Sequence, residues 1–263
     1  ILHQIIERLK DAKAELKIGA KLLKSLPIPQ FERETEYISL YQKGDYALLE
    51  GNIFSSDTGE TSYKNYRALT NEYLCDHSTA KRTKHHRDSF MVGALARFNN
   101  SYAWLSPDAK QMAADLGLKA PCYNPYLNTV AQFVELVHIA DDSIQAAEDL
   151  LNMNVQLEDR SFPLKAGTGV GAVEVPRGIL YHEYTYNDQG YMEKANCIIP
   201  TGQNLQNIEN DMKALVPTIL DKSQEEITLR LEMLVRAYDP CISCSTHLLK
   251  VEFVNDEPKR SAK

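Results

Sequence analysis

The sequence has no apolar run approaching the roughly 20 residues that a bilayer-spanning helix needs, which argues against a membrane span. It has no long basic run and carries a net charge of −7, which argues against nucleic acid as a partner. Cysteine is scarce: five occur, at positions 75, 122, 197, 241 and 244, an odd number without paired spacing. That speaks against a disulfide framework and for a reducing compartment with metal-bound or free thiols. No dinucleotide or P-loop fingerprint is present. The run Gly167–Gly171 lacks the spacing and the following Lys-Ser/Thr of a phosphate loop, and reads as a turn into strands. Internal repeats and low-complexity segments are absent. Ile1–Arg8 has no signal-peptide pattern, and the chain opens on Ile1 rather than methionine, so it reads as a piece of something longer. With 43% hydrophobic and 25% charged residues, the composition is that of a globular chain, and 263 residues are enough for one large domain or two small ones.

Apolar periodicity predicts a helix over 2–25, stopped by Pro27 and Pro29. Further helices are expected from Pro107 to about Leu118, over 126–152, and over 204–236 with a break at Pro217. Short strands are expected at Tyr46–Leu49, Ala172–Val175, Ile179–Tyr186 and Tyr191–Ile199. Ser89–Arg97 reads as buried. The polar segment 66–88, with His77, His85 and His86, reads as solvated, and His138 as a satisfied core residue. The expected class is mainly α (α+β): a long-helix bundle with a small β-sheet.

The densest chemistry lies near the C-terminus, in Cys241-Ile242-Ser243-Cys244-Ser245-Thr246-His247. Thiolate and imidazole are ligands for late first-row metals. By spacing alone the pair could be half of a zinc site, a redox dithiol, or half of a thiolate-rich nickel or iron site. No second CxxC or HxxxH completes a zinc set. Two other clusters stand out. Glu174-Val175-Pro176-Arg177-Gly178 places a guanidinium at a strand end, suited to an anionic or strongly polar ligand. Cys197-Ile198-Ile199-Pro200-Thr201 ends another strand, where a carbonyl at 197 could meet a hard cation and Thr201 could donate a hydrogen bond.

Together and in this order, these motifs resemble the nickel–iron hydrogenase large subunit. Asp239-Pro240-Cys241-x-x-Cys244-x-x-His247 is similar to that family's C-terminal signature. Glu174–Gly178 with Leu180 and His182 is similar to its Pro-Arg-Gly segment. Cys197–Thr201 with Asn204 is similar to the strand beneath its iron, and Met91–Arg97 to a core segment. Phe31–Glu36 and Pro200–Asn204 look more like the cytoplasmic, cofactor-coupled branch. The resemblance implies the C-terminal part of such a subunit, catalysing reversible heterolytic cleavage of H2. It implies nickel, an iron carrying carbon monoxide and cyanide, and a magnesium or iron ion near His247. Cys241 would be the terminal nickel ligand and Cys244 the bridging one. His247 and the Cys197 carbonyl would hold the neighbouring ion. Arg177 would lie beside the open metal face, oriented by Asp239, with Pro176 and Thr201 cradling cyanide. As base we favour the Cys241 thiolate over Arg177, because a guanidinium gives up its proton reluctantly. The implied partners are an iron–sulfur small subunit and flavin- or nucleotide-type electron-transfer subunits, because the chain has no cluster or flavin motif of its own. Many family members are trimmed by an endopeptidase after the motif histidine, so residues 248–263 read as a C-terminal extension.

One departure is large. The family's other two nickel thiolates come from an N-terminal Arg-x-Cys-x-x-Cys motif that this sequence lacks. The chain as given is therefore expected to be inactive alone. The alternatives are a non-catalytic relative of the complex I large-subunit type, or a small zinc protein.

Overall fold

The prolines at 27 and 29 end the first helix where expected. In a computed structural model, which describes residues 1–242 and 251–254, helix α1 runs Leu2–Ser25. Strands β1 (Glu36–Tyr41), β2 (Asn52–Ser55) and β3 (Gly59–Thr61) follow, then the short helix α2 (Tyr66–Leu69), the hairpin β4 (Asn71–Cys75) and β5 (Ser78–Lys84), and β6 (Phe90–Met91). Helices α3 (Ala94–Ser101), α4 (Pro107–Asp115) and α5 (Asn128–Asn152) come next. A hairpin sheet of β7 (Gly167–Val175), β8 (Gly178–Tyr186) and β9 (Met192–Ile198) precedes α6 (Pro200–Leu215) and α7 (Gln224–Ala237). Among the described residues no helix is long and apolar enough to cross a membrane.

The α+β reading holds, with the strands divided among three small sheets. One has the order β3-β2-β1-β6, in which β1 pairs antiparallel to β2 and parallel to β6. The helices pack around one core that includes Leu95, Phe98, Val130, Val134, Leu231 and Leu234. A second core joins the sheets through Ile38, Leu40, Phe90, Val92, Ile179, Tyr181 and Ile198.

Four expectations need correction. Tyr46–Leu49 is not a strand: Tyr46 and Ala47 are buried, and Tyr46 donates through its hydroxyl to Glu135 (2.7 Å). Gly167–Gly171 is not a turn but the first half of β7, paired along its length with β8. The fourth long helix begins at Pro200, four residues before the expected 204, because proline fits the first helical position, where its missing N–H is no loss. The segment 66–88 is not wholly solvated: Arg82 and Thr83 are buried, and His85 Nδ1 lies 2.5 Å from the fully buried Glu36 carboxylate. His138 is the satisfied core residue expected, accepting from the Ser106 amide at 3.1 Å.

Candidate functional site

Strands β7 and β8 meet in a hairpin whose last register pair is Val175 with Gly178, so Pro176 and Arg177 form its two-residue tip. Gly178 has φ +134°, and a Cβ there would lie 2.4 Å from Val92 Cγ2. Gly93, φ +114°, faces the tip from the other side: a Cβ on it would stand 3.1 Å from the Arg177 carbonyl oxygen. Two glycines thus let two backbones touch, and the contact fixes where the Arg177 side chain starts.

The hairpin is held from below by a buried ionic cluster. Arg97, 2% exposed, forks onto Glu135 (2.6 and 2.7 Å) and donates to Glu174 (2.6 Å) and to the carbonyls of Val175 (3.1 Å) and Pro176 (3.3 Å). Glu174 also accepts from the Leu40 amide at 2.8 Å. Burial raises the Glu174 pKa above the ordinary carboxylate value, against the pull of Arg97. Burial also works against the Arg97 charge, but the facing Glu135 and Glu174 carboxylates outweigh it and hold its pKa above the usual guanidinium range.

The first turn of α6 braces the same region. Gln203 Nε2 donates to the Ile179 carbonyl (2.7 Å). Asn204 pairs with both backbone groups of Val92, accepting from its N–H (2.9 Å) and donating to its C=O (3.2 Å). Thr201, 3% exposed, accepts through Oγ1 from the Cys241 amide at 3.2 Å. The expected role of the hydroxyl as a donor and its observed role as an acceptor are compatible, since a hydroxyl does both.

From the other side, α7 delivers Tyr238, Asp239, Pro240 and Cys241. Asn128 ties the end of α7 to the start of α3: it donates to the Ala237 carbonyl (2.8 Å) and accepts from the Leu95 amide (2.9 Å). The Tyr238 hydroxyl donates to Asp211 (2.5 Å) and accepts from Asn207 (2.7 Å). Arg33 ion-pairs with that same Asp211, and Thr35 donates to Asn207 (2.7 Å). Burial raises the pKa of both Tyr238 and Asp211. Asp239 is the one non-glycine with positive φ among the described residues, at +50°. Its carbonyl accepts from Arg177 Nε at 2.5 Å, and its carboxylate lies 3.4 Å from Arg177 Nη2 and 3.3 Å from Gln132 Nε2. A strained backbone residue held by its surroundings is a pointer to a working site.

Arg177, Asp239, Thr201 and Cys241 therefore converge, with Pro176 at the hairpin tip. Cys244 and His247 lie outside the described residues. Cys197 is the next-to-last residue of β9 and is exposed. Among the described residues no group of three or more His, Cys, Asp or Glu is arranged to hold a metal. Sequence reasoning missed the supporting residues Arg97, Glu135, Gln203, Asn128 and Asn207. For Arg97 a signal existed: a lone charge closing the apolar run from Met91.

The model of nickel-dependent hydrogenases matches residues 58–247. Sulfhydrogenase 1 subunit alpha of Pyrococcus furiosus is 29% identical over 250 residues, covering 89% of this chain and 58% of that protein. Sulfhydrogenase 2 subunit alpha of the same organism is 31% identical over 176 residues, covering 66% of this chain and 42% of that protein. The chain thus spans about half the length of such relatives. A crystal structure of an NAD+-reducing [NiFe]-hydrogenase in the H2-reduced state shares the fold, with a TM-score of 0.76 at 22% identity over 94% of this chain and 59% of that one.

Proposed function

The chain belongs to the nickel-dependent hydrogenase family, and on that premise we propose that it carries one half of the catalytic centre of a hydrogenase large subunit, acting on H2. The observation that supports this best is the convergence of three segments. The Asp239 carbonyl meets Arg177 Nε at 2.5 Å, and the Thr201 hydroxyl sits 3.2 Å from the Cys241 amide.

The donor chemistry fits a nickel–iron group in kind and covers half of it. Cys241 and Cys244 would be the thiolate ligands. His247 and the Cys197 carbonyl would hold a magnesium or iron ion. Cys122 and Cys75 are placed for other things: Cys122 is buried with its thiol toward the Asn124 carbonyl, and Cys75 sits on the β4–β5 hairpin near His77. When bound, the metal pair, its iron carrying carbon monoxide and cyanide, would supply the Lewis-acid centre for heterolytic cleavage. The Cys241 sulfur would be the group placed to accept the proton, since a base must lie within bonding reach of the proton it accepts. Arg177 would act as an electrostatic positioner, aimed by Asp239. Thr201 fixes the Cys241 backbone and, with Pro176, lines the side where cyanide would sit.

Completion of the site calls for two further thiolates from sequence beyond this chain. Electrons would leave through an iron–sulfur small subunit to flavin- or nucleotide-type subunits, in the cytoplasm. Residues 1–263 then form one domain-sized part of the subunit, with 248–263 as an extension that a maturation endopeptidase could remove. The test is Arg177→Lys in the assembled enzyme. Nickel content should persist while H2 turnover falls about 10²-fold, as when one preorganised charge-stabilising donor is lost. Unchanged turnover would remove Arg177 from the site.

A further inference from the structure

On the hairpin sheet, β8 and β9 place His182 directly opposite Cys197 in antiparallel register. Tyr184 follows two residues later, on the same face. Cys197 Sγ lies 3.4 Å from His182 Nδ1 and 3.6 Å from the Tyr184 hydroxyl, and that hydroxyl lies 2.6 Å from Nδ1. The thiol is exposed, and the imidazole and phenol are half-buried beside it. None of these three side chains has a role in the site described above, which uses only the carbonyl of Cys197.

The spacing has a chemical meaning. A sulfur about 2.3 Å and a nitrogen about 2.0–2.1 Å from one tetrahedral Zn2+ stand about 3.5 Å apart. His182 and Cys197 hold their donor atoms 3.4 Å apart. The sheet register sets that distance, so little chain need be ordered on binding. Thiolate and imidazole together suit Zn2+ and Co2+ far better than Mg2+ or Ca2+.

We propose that Cys197 Sγ and His182 Nδ1 form a two-point binding site for a borderline transition cation of the Zn2+ class, with water completing the tetrahedron. On binding, the thiol proton leaves to solvent and the Tyr184 hydroxyl moves off Nδ1, which becomes a ligand, to hydrogen-bond the thiolate. The cation would clamp β9 to β8 just before Pro200 and Thr201, the residues that lead to the Cys241 amide. With two protein ligands the site is an exchangeable one and not a structural zinc.

The experiment uses the full chain carrying Cys241→Ser and Cys244→Ser, so that the expected nickel thiolates cannot contribute. Co2+ is titrated in under anaerobic conditions, and the sulfur-to-cobalt charge-transfer absorption is followed. One Co2+ per chain is expected, displaced by Zn2+. Adding Cys197→Ser should abolish the band, and adding His182→Gln should weaken binding about tenfold or more. Both side chains lie at the sheet surface, so the variants should melt with the parent. A band that survives Cys197→Ser, or no thiolate band in the parent at millimolar Co2+, would overturn the proposal.

Discussion

Replacing Arg97 with methionine should cost more stability than any other single change near the site. Arg97 makes three charge-assisted hydrogen bonds to Glu135 and Glu174 and two to the carbonyls of Val175 and Pro176. Methionine fills part of the volume and satisfies none of them. Among the described residues, Glu135 would keep only the Tyr46 hydroxyl, and Glu174 only the Leu40 amide. Breaking a buried pair by removing one partner costs about 3–5 kcal/mol. Two stranded carbonyls add about 1 kcal/mol each. Proton uptake by one carboxylate relieves part of this, and Glu174 is predisposed to it because burial already raises its pKa. The expected net loss is about 5 kcal/mol, comparable with the whole stability of an ordinary domain. Urea unfolding followed by circular dichroism measures it. The companion triple variant, Arg97→Met with Glu135→Gln and Glu174→Gln, removes the stranded charges and should recover at least half of the loss, because neutral replacement of a whole buried ionic cluster is tolerated. A loss below about 1 kcal/mol for Arg97→Met, or a triple variant less stable than the single one, would refute the reasoning.

Gly178→Ala would drive a Cβ to 2.4 Å from Val92 Cγ2 and 2.9 Å from the Gly93 nitrogen at φ +134°; thermal melts should show a loss of about 3 kcal/mol, combining overpacking and backbone strain. Thr201→Val keeps the shape but removes the acceptor for the Cys241 amide, so hydrogen exchange at that amide should speed up about tenfold, equivalent to about 1.4 kcal/mol. Glu209 has its pKa lowered from 4.5 to about 2, chiefly by its hydrogen bond from Arg82. A depressed carboxylate stabilises the fold above its unfolded value, and that stability is lost as the pH falls from about 4.5 toward about 2. Glu209→Gln should therefore flatten the acid limb of the melting temperature, and a limb of unchanged steepness would count against the assignment.

The long helices were legible because their apolar periodicity is a local property. Helix α1 matches its expected bounds, and α5 begins at Asn128 after a 3-10 turn over Pro125–Leu127. Strand β1 was not legible. It is buried on both faces and includes the charged Glu36, whose partners Ser55 and His85 come from distant sequence. His85 misled for the same reason: its solvated appearance ignored a carboxylate 49 residues away. The site's polar residues were recognisable through motif order, which brought Arg177, Thr201, Asp239 and Cys241 forward. The scaffold that aims them was invisible, because Arg97, Asn128 and Asn207 act through backbone groups and side chains that only the fold assembles.

Cys241 is proposed above as a nickel ligand, and that role can be measured directly. The direct measurement is nickel content, with the infrared bands of iron-bound carbon monoxide and cyanide and H2 turnover, in the complete assembled enzyme with and without Cys241→Ser. Nickel, diatomic bands and turnover are expected in the parent, and loss of nickel and turnover in the variant. Full nickel content and undiminished H2 turnover in Cys241→Ser would contradict it.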